Sequence, residues 1–517
     1  MDDAAGSKRG RRRRGGGGAD GSVASGPSIN QQPWDIPRRA FRPMELLSEE
    51  QVELIHENSL KILEELGIEL MSEAACRVYE EAGALVDWDS MRVRVPRDVV
   101  RELVGKAPSR FTISSRNDAR ALPIGGNSMV ATMVAGPPSV HDCVRGRRAG
   151  NMADYQDFVR MTQSFNAVHM IGNQVTAPME LSAETRHLDC YLANLTLSDR
   201  SFHVTAIGRE RALSGIEMMA ISRGDRLEDM IQRPGVTTII SVNSPRRFDG
   251  EMAEGLMTMA EFGQPVSITP FTLMGAMTPV TLPAALSQQN AEALFGIGLA
   301  QAVRPGTPCL YGSFLSNVDM RSGAPGFGTP EHAKACIASG QLARRYAVPY
   351  RVSPGNASNA ADEQSVWETM LSLWGCVMGG ANLLYHGAGW LEGGLQASFE
   401  KFVMDVEMLQ NMYEFMKPMA FDKDSLGFDA IAGVPTGGHF FGEPHTMARY
   451  STAFYQPMLS DWRNYETWEE AGAVTAKGRA TALWQQALAE YEEPVIDAGV
   501  RDALEDYVAR KKAAAQA

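Results

Sequence analysis

Phe314, Phe327, Tyr385 and Trp390, with His386 and Glu392 close by in sequence, are the side chains whose types and spacing could do chemistry. Phe327 stands in GAPGFGTPE and Trp390 in YHGAGWLEGG, so both fall in loops beside glycines, where core packing is not the first expectation. An ammonium that carries methyl groups offers few hydrogen bonds, because hydrocarbon wraps its charge. Aromatic faces hold such a cation, each contributing about 0.5 to 2 kcal/mol, and a carboxylate can offset its charge. The four rings, with Tyr311 beside them, are candidate walls for the cation, and Glu392 is the candidate counter-charge. The competing reading makes the same rings ordinary core. His386, which ends the apolar run NLLYH, is either a satisfied core histidine or, with Glu392, an acid–base pair of a lyase or hydrolase.

These residues need elements to position them. The stretch LYGSFLSNVDMRSGAPGFGTPE, residues 310–331, reads as a strand, a small-residue loop and a helix start. Thr329 suits the cap, Pro330 the first helical position and Glu331 the positive end of the helix dipole. Apolar, β-favouring runs at 129–134, 168–173, 202–207, 236–242, 266–269, 309–314, 350–353 and 382–386 are each followed by a helical pattern. Such alternation predicts an α/β fold with parallel strands and crossover helices, and eight units close a (β/α)₈ TIM barrel. Its mouth would gather Asn173, Thr205, Asn243, Ser244, Thr269, Ser313, Ser353 and Asn356 with the aromatics. A doubly wound open sheet is the runner-up, but neither GxGxxG nor GxxxxGK[ST] is present.

Residues 1–40 are predicted to be a disordered basic, glycine-rich tail, 41–118 an α-rich N-terminal layer, 119–425 the barrel, and 426–517 a helical extension packed on it. A net charge of −13 argues against a nucleic-acid surface. No run approaches the roughly 18 apolar residues of a membrane helix, and the six scattered cysteines read as reduced thiols, so a cytoplasmic enzyme is expected. His439 and His445 flank Glu443 without a recognised zinc spacing, so no metal is expected; GxSxG is absent too.

From about Phe41 to Lys512 the chain resembles the trimethylamine methyltransferase family, in its branch without pyrrolysine that includes glycine betaine methyltransferases. FRPMELLSEEQVELIHENSLKILEELGIEL, MRSGAPGFGTPE, NLLYHGAGWLEGGLQASFEKFVMD and GGHFFGEPHT carry the resemblance. It implies a (β/α)₈ barrel that moves a methyl group from a methylated amine to the Co(I) of cobalamin on a separate small corrinoid protein. The chain has no DxHxxG motif, so it binds no corrinoid tightly itself and the partner must bring it. In trimethylamine enzymes pyrrolysine sits in the active-site loop, near Phe327 here. A standard residue there implies a substrate that arrives already cationic, a quaternary amine such as glycine betaine. The resemblance then makes Phe314, Phe327, Tyr385 and Trp390 the box, with His386 and Asn356 on a substrate carboxylate. Tetrahydrofolate as acceptor, or binding without transfer, are the alternatives. A homo-oligomer is expected.

Overall fold

A curled sheet of seven parallel strands organises the computed structural model, which describes residues 28–516. In spatial order the strands are Val130–Ala131, Leu383–Leu384, Tyr350–Val352, Cys309–Gly312, Val266–Ile268, Val236–Ile240 and Phe202–His203. Each strand pairs in parallel with its neighbour. The second of the eight expected strands, 168–173, forms no strand of its own. Its residues make isolated parallel bridges, Met170 to Thr132 on one edge strand and Ile171 to Phe202 on the other.

Helices cover the outer face of the sheet. They include Met152–Ser164, Arg186–Leu197, Arg209–Arg223, Gly250–Glu261, Leu282–Val303, Pro330–Arg345, Glu363–Gly379 and Phe399–Met416. Close approach of helix to sheet depends on small residues. A Cβ on Gly255 would lie 1.9 Å from the Ala206 carbonyl oxygen, so only glycine lets that helix seat. The Leu282–Val303 helix is buried on every side from Ala285 to Gln301. The N-terminal layer explains this: the capped helix Glu49–Lys61 lies across it, and Asn290 donates to Ser59 Oγ at 2.8 Å. A helix buried all round needs such a second cover, and its buried polar residues need partners like Ser59.

The floor of the curled sheet is closed by a hairpin that the sequence did not announce, Arg110–Ile113 paired with Leu122–Gly125. Its Ile113, Leu122 and Ile124 pack under Val130, Met170, Leu310 and Leu383, which point inward from the strands. At the opposite end two small sheets form the rim. One joins Phe271–Met274, Phe314–Val318 and Pro325–Gly326; the other joins Trp390–Leu391, Gln396–Ser398, Ser139–Asp142 and Gly146–Ala149.

The expected disordered tail, residues 1–40, falls mostly on residues 1–27, outside the described residues. Residues 28–40 run along the body instead: Gln31 donates to the Ser164 carbonyl at 2.8 Å, and Trp34 lies between Arg120 and Arg200. In the C-terminal region the helix Ala476–Ala489 docks on the body, with Trp484 Nε1 donating to Glu400 at 2.9 Å. Residues 417–457 stand off from it and bury Ala430 alone. No helix among the described residues is long and apolar enough to cross a membrane. All six cysteines are free, five of them buried.

Candidate active site

Phe314, Phe327, His386 and Trp390 meet at the rim end of the curled sheet. Phe314 and Phe327 stack with ring centroids 4.8 Å apart and planes within 19°. Trp390 stands edge-on to both, 5.7 Å from Phe314 and 6.3 Å from Phe327. His386 closes the group at 4.2 Å from Trp390 and 4.3 Å from Tyr385. All five side chains are buried, from 1 to 7% exposed, so loop position did not keep the aromatics out of the interior. Two loops bring them together. Gly328, at φ +78, seats the chain after Phe327 against Glu368, where a Cβ would come within 2.2 Å of another. His386 itself holds φ +59, a left-handed conformation that costs a non-glycine residue about 1 to 3 kcal/mol.

Below the rings lies a guanidinium that pairs with no carboxylate among the described residues. Arg351 projects inward from the middle of the Tyr350–Val352 strand and is 1% exposed. Its guanidinium carbon is 4.7 Å from the centre of the Tyr385 ring and 5.7 Å from that of Phe314. Its one hydrogen bond is long, 3.4 Å to the Ser313 carbonyl, and Nε has no partner among the described residues. Burial lowers its pKa to about 10, and it stays charged at neutral pH. His203, on the neighbouring inner wall, packs edge-on to Tyr385 at 4.6 Å and leaves both ring nitrogens unpartnered. Burial, then the charge of Arg351, push it down to about 3. The same two causes, with His203, hold His386 well below the usual histidine value. The site therefore offers one buried cation and two neutral imidazoles. Buried polar groups are nearly always paired, so orphaned ones at the foot of an aromatic box ask for an anion.

A chain of hydrogen bonds fixes the box from behind. Asn356 Nδ2 donates to the Trp390 carbonyl at 2.6 Å and to Thr369 Oγ1 at 3.0 Å, while Trp390 Nε1 donates back to the Asn356 carbonyl at 3.2 Å. Thr369 also accepts from Lys401, which pairs with Asp405, and Asp405 accepts from the Gly389 amide at 2.8 Å. Burial lowers Lys401 and raises Asp405, and their mutual attraction opposes both shifts. On the other side His332 sets its edge against Phe327 at 5.4 Å, with its ring nitrogens facing the carbonyls of Leu315 and Ser353.

Three candidates from the sequence fall elsewhere. Tyr311 points to the outer face of its strand, where its hydroxyl donates to Asn290 and its ring stacks on Tyr346. Strand alternation explains this, since the inward neighbours are Leu310 and Gly312. Glu392 sits at the rim in an ion pair with Arg147 at 3.1 Å, its side chain 25% exposed. Its charge is engaged, and it bonds to Arg147 while His386 bonds to Ser353 Oγ. Asn356 supports Trp390. Among the other strand-end residues, Asn173 and Thr205 join Tyr385 in one bonded cluster, while Ser244 turns out to Glu292. His445 is taken by the Asp424 carbonyl, and His439 is exposed.

Sequence reasoning missed Arg351 and His203. A signal existed for the first: in PYRVSP an arginine interrupts a strand expected to be buried on both faces, and such a charge is rarely buried without a partner. His203, in SFHVT, carried no comparable mark.

Residues 12–516 match the family model described as trimethylamine methyltransferase (MTTB). Among known proteins, glycine betaine methyltransferase of Desulfitobacterium hafniense (strain Y51) is 38% identical over 468 residues, covering 90% of this chain and 97% of that one. Trimethylamine methyltransferase MttB of Desulfitobacterium hafniense (strain DSM 10664 / DCB-2) is 28% identical over 437 residues, covering 84% and 87%. The solved structure of monomethylamine methyltransferase (MtmB) from Methanosarcina barkeri aligns at a TM-score of 0.48 with 11% identity, over 88% of this chain and 92% of that chain. With a family match across nearly its whole length, this chain belongs to the trimethylamine methyltransferase (MTTB) family and is a methyltransferase.

Proposed function

We propose that this chain moves a methyl group from a quaternary ammonium carboxylate of the glycine betaine class to the Co(I) centre of a corrinoid carried by a separate small protein. The carrying observation is the juxtaposition of a carboxylate-free, buried Arg351 with the box of Phe314, Phe327, Trp390 and His386. A zwitterion with a methylated ammonium at one end and a carboxylate at the other satisfies both at once. The Desulfitobacterium hafniense (strain Y51) relative, a glycine betaine methyltransferase, supports the same substrate class.

In this reading Arg351 binds the carboxylate, with His203 beside it, and the rings hold the trimethylammonium toward the rim. Asn356 is a positioning residue that holds Trp390. Glu392, already paired with Arg147, is left a structural part at the rim. The acceptor is a substrate brought by the partner. The C–N bond breaks as the Co–C bond forms, and the C–N electron pair stays on nitrogen, which leaves as a neutral tertiary amine. No proton has to be delivered, which suits a neutral His386. Arg351 also keeps positive charge near the ammonium, a repulsion relieved as nitrogen becomes neutral, and only such differences lower a barrier. Positioning of donor against acceptor can supply about 7 to 11 kcal/mol more. We further read the curled sheet as an eight-stave barrel whose eighth stave is the bridged segment Met170–Ile171.

The test is transfer itself. Purified chain, a Co(I) corrinoid protein and a panel of amines are mixed, and methyl-Co(III) formation is followed by absorbance. Glycine betaine is expected to support turnover, and trimethylamine is not. Failure with every quaternary amine refutes the reading.

A further inference from the structure

Behind the wall that Phe327 forms, two cysteines on neighbouring helices face each other. Cys336, on Pro330–Arg345, and Cys376, on Glu363–Gly379, are both buried, and their sulfurs lie 4.0 Å apart. Helices with side chains between them sit about 8–10 Å apart. Here glycines bring backbone against backbone on either side of the pair. A Cβ on Gly375 would lie 2.9 Å from Ala333 Cα, one on Gly379 would lie 2.6 Å from the Cys336 carbonyl oxygen, and Gly340 packs on the Gly379 carbonyl. A disulfide spans about 4.4–6.8 Å between Cα atoms, so an approach of this kind suits one.

His332 activates the pair. It is fully buried one turn before Cys336, with Nε2 3.8 Å from the Cys336 sulfur. Nδ1 faces the Leu315 carbonyl at 2.9 Å and Nε2 the Ser353 carbonyl at 3.2 Å. A neutral imidazole has one N–H to give, so satisfying both carbonyls takes an imidazolium, and a Cys336 thiolate balances it. The Cys376 S–H lowers the Cys336 pKa against burial, and the His332 charge adds to this. Burial opposes charge on His332, but Cys336 raises it. A low-pKa thiolate beside a second thiol is the arrangement of redox-sensing cysteines. Burial of the pair restricts the oxidant to a small uncharged molecule. The imidazole and the two sulfurs do not all lie within 4.8 Å of one another, so they form no three-ligand cage for a metal ion.

We propose that Cys336 and Cys376 are an oxidation site for hydrogen peroxide, closing to a disulfide that loosens the aromatic box. The Cys336 sulfur attacks one peroxide oxygen; the S–O bond forms, the O–O bond breaks, and the released hydroxide takes the His332 proton. The Cys376 sulfur then attacks the sulfenic acid on Cys336, the S–S bond forms as S–O breaks, and the second hydroxide takes the Cys376 proton. The two cysteines lose two electrons, and the peroxide leaves as two waters. His332 is now neutral, so it must release either the Leu315 or the Ser353 carbonyl. Leu315 follows Phe314 in its strand, the Ser353 hydroxyl meets His386 Nδ1 at 3.1 Å, and Phe327 lies against the His332 ring. One proton thus bears on three walls of the box. The oxidation site is independent of the substrate, whereas its effect on betaine rests on the proposed function.

The full-length chain is treated with hydrogen peroxide, quenched with N-ethylmaleimide under denaturing conditions and digested. Mass spectrometry should find the peptides of Cys336 and Cys376 joined, and dithiothreitol should part them. In Cys376→Ala the sulfenic acid has no partner, so Cys336 should go on to the sulfinic acid. Hydrogen exchange over 314–332 and 350–357 should quicken at least threefold in the oxidised chain and stay unchanged in peroxide-treated Cys336→Ala, with circular dichroism checking each fold. The glycine betaine Kd should rise at least fivefold on oxidation and recover on reduction. A reduced chain that binds no betaine would sink the proposed function, and the cross-link and exchange would still decide on this site. Both thiols left free at peroxide levels that oxidise the exposed Cys143 would overturn the proposal. So would sulfinic acid at Cys336 of the wild-type chain with Cys376 free, or a disulfide that leaves exchange unchanged.

Discussion

The Arg351 guanidinium rests 4.7 Å from the centre of the Tyr385 ring, and no carboxylate pairs with it among the described residues. Replacing Arg351 by methionine keeps the length and removes the charge. The expected effect on glycine betaine is a KM raised about 10- to 100-fold, the worth of a charged hydrogen bond of about 1.5–3 kcal/mol. Tetramethylammonium, which has no carboxylate, should bind no more weakly than to wild type. Equal losses on both ligands would remove Arg351 from substrate binding. Because its pKa is lowered to about 10, the charge is present below that pH and lost above it. The betaine KM should therefore climb as pH rises through about 10.

Asn356 and Trp390 hold each other through reciprocal bonds of 2.6 and 3.2 Å. Asn356→Ala should weaken betaine binding about as much as Trp390→Phe does, and the double variant should cost less than the two single losses combined. Calorimetric titration of the four proteins measures this. Strict additivity would mean that Asn356 does not act through the indole.

Gly328 is a backbone requirement of the Phe327 loop. At φ +78, with a Cβ forced to 2.2 Å from that of Glu368, alanine cannot be accepted without moving the loop. Gly328→Ala is expected to lower the melting temperature and to weaken betaine binding more than tenfold. Retention of wild-type affinity would separate Phe327 from the box.

Several histidines are buried neutral. His169 and His203 are pushed down to about 3, and His56 and His187 to about 4, burial being the leading cause in each. Their folded pKa values lie below the ordinary 6.5, so the unfolded chain binds more protons between the two. Stability from these groups is complete above about pH 6.5 and lost as pH falls toward 3, at up to about 1.4 kcal/mol per pH unit for each. Melting followed from pH 7 to pH 5 should show a steady fall before most carboxylates titrate. A flat profile over that range would contradict the burial of these rings.

Glu392→Gln should change glycine betaine turnover little, because the carboxylate is already shared with Arg147 at the exposed rim. A loss of tenfold or more would return Glu392 to the active site.

The chain's rhythm was legible because apolar β runs and helical patterns alternate strongly. Gly250–Glu261 and Phe399–Met416 lie where periodicity puts them, and seven of the expected strands pair. The run at 168–173 looked as good as the others, but only Met170 and Ile171 find partners. The rim sheets were invisible, since Phe314–Val318 or Trp390–Leu391 become strands through long-range pairing that no local pattern announces. At the site, residue type identified the rings, while side-chain direction decided the rest. Tyr311 reads like Tyr385 in sequence, yet one faces the helices and the other the interior. Arg351 becomes informative only once the register shows that its strand position faces the interior beside Leu383.

The hairpin of Arg110–Ile113 and Leu122–Gly125 plugs the floor of the curled sheet with Ile113, Leu122 and Ile124. A vessel stoppered at one end has a single doorway. Under the proposed reaction, donor entry, methyl departure and release of the demethylated amine would all pass the rim. The amine has to be inside before a macromolecular acceptor covers that doorway, and the spent amine leaves only after the acceptor withdraws. Under the proposed reaction the kinetics are therefore compulsory in order, with the small molecule first in and last out.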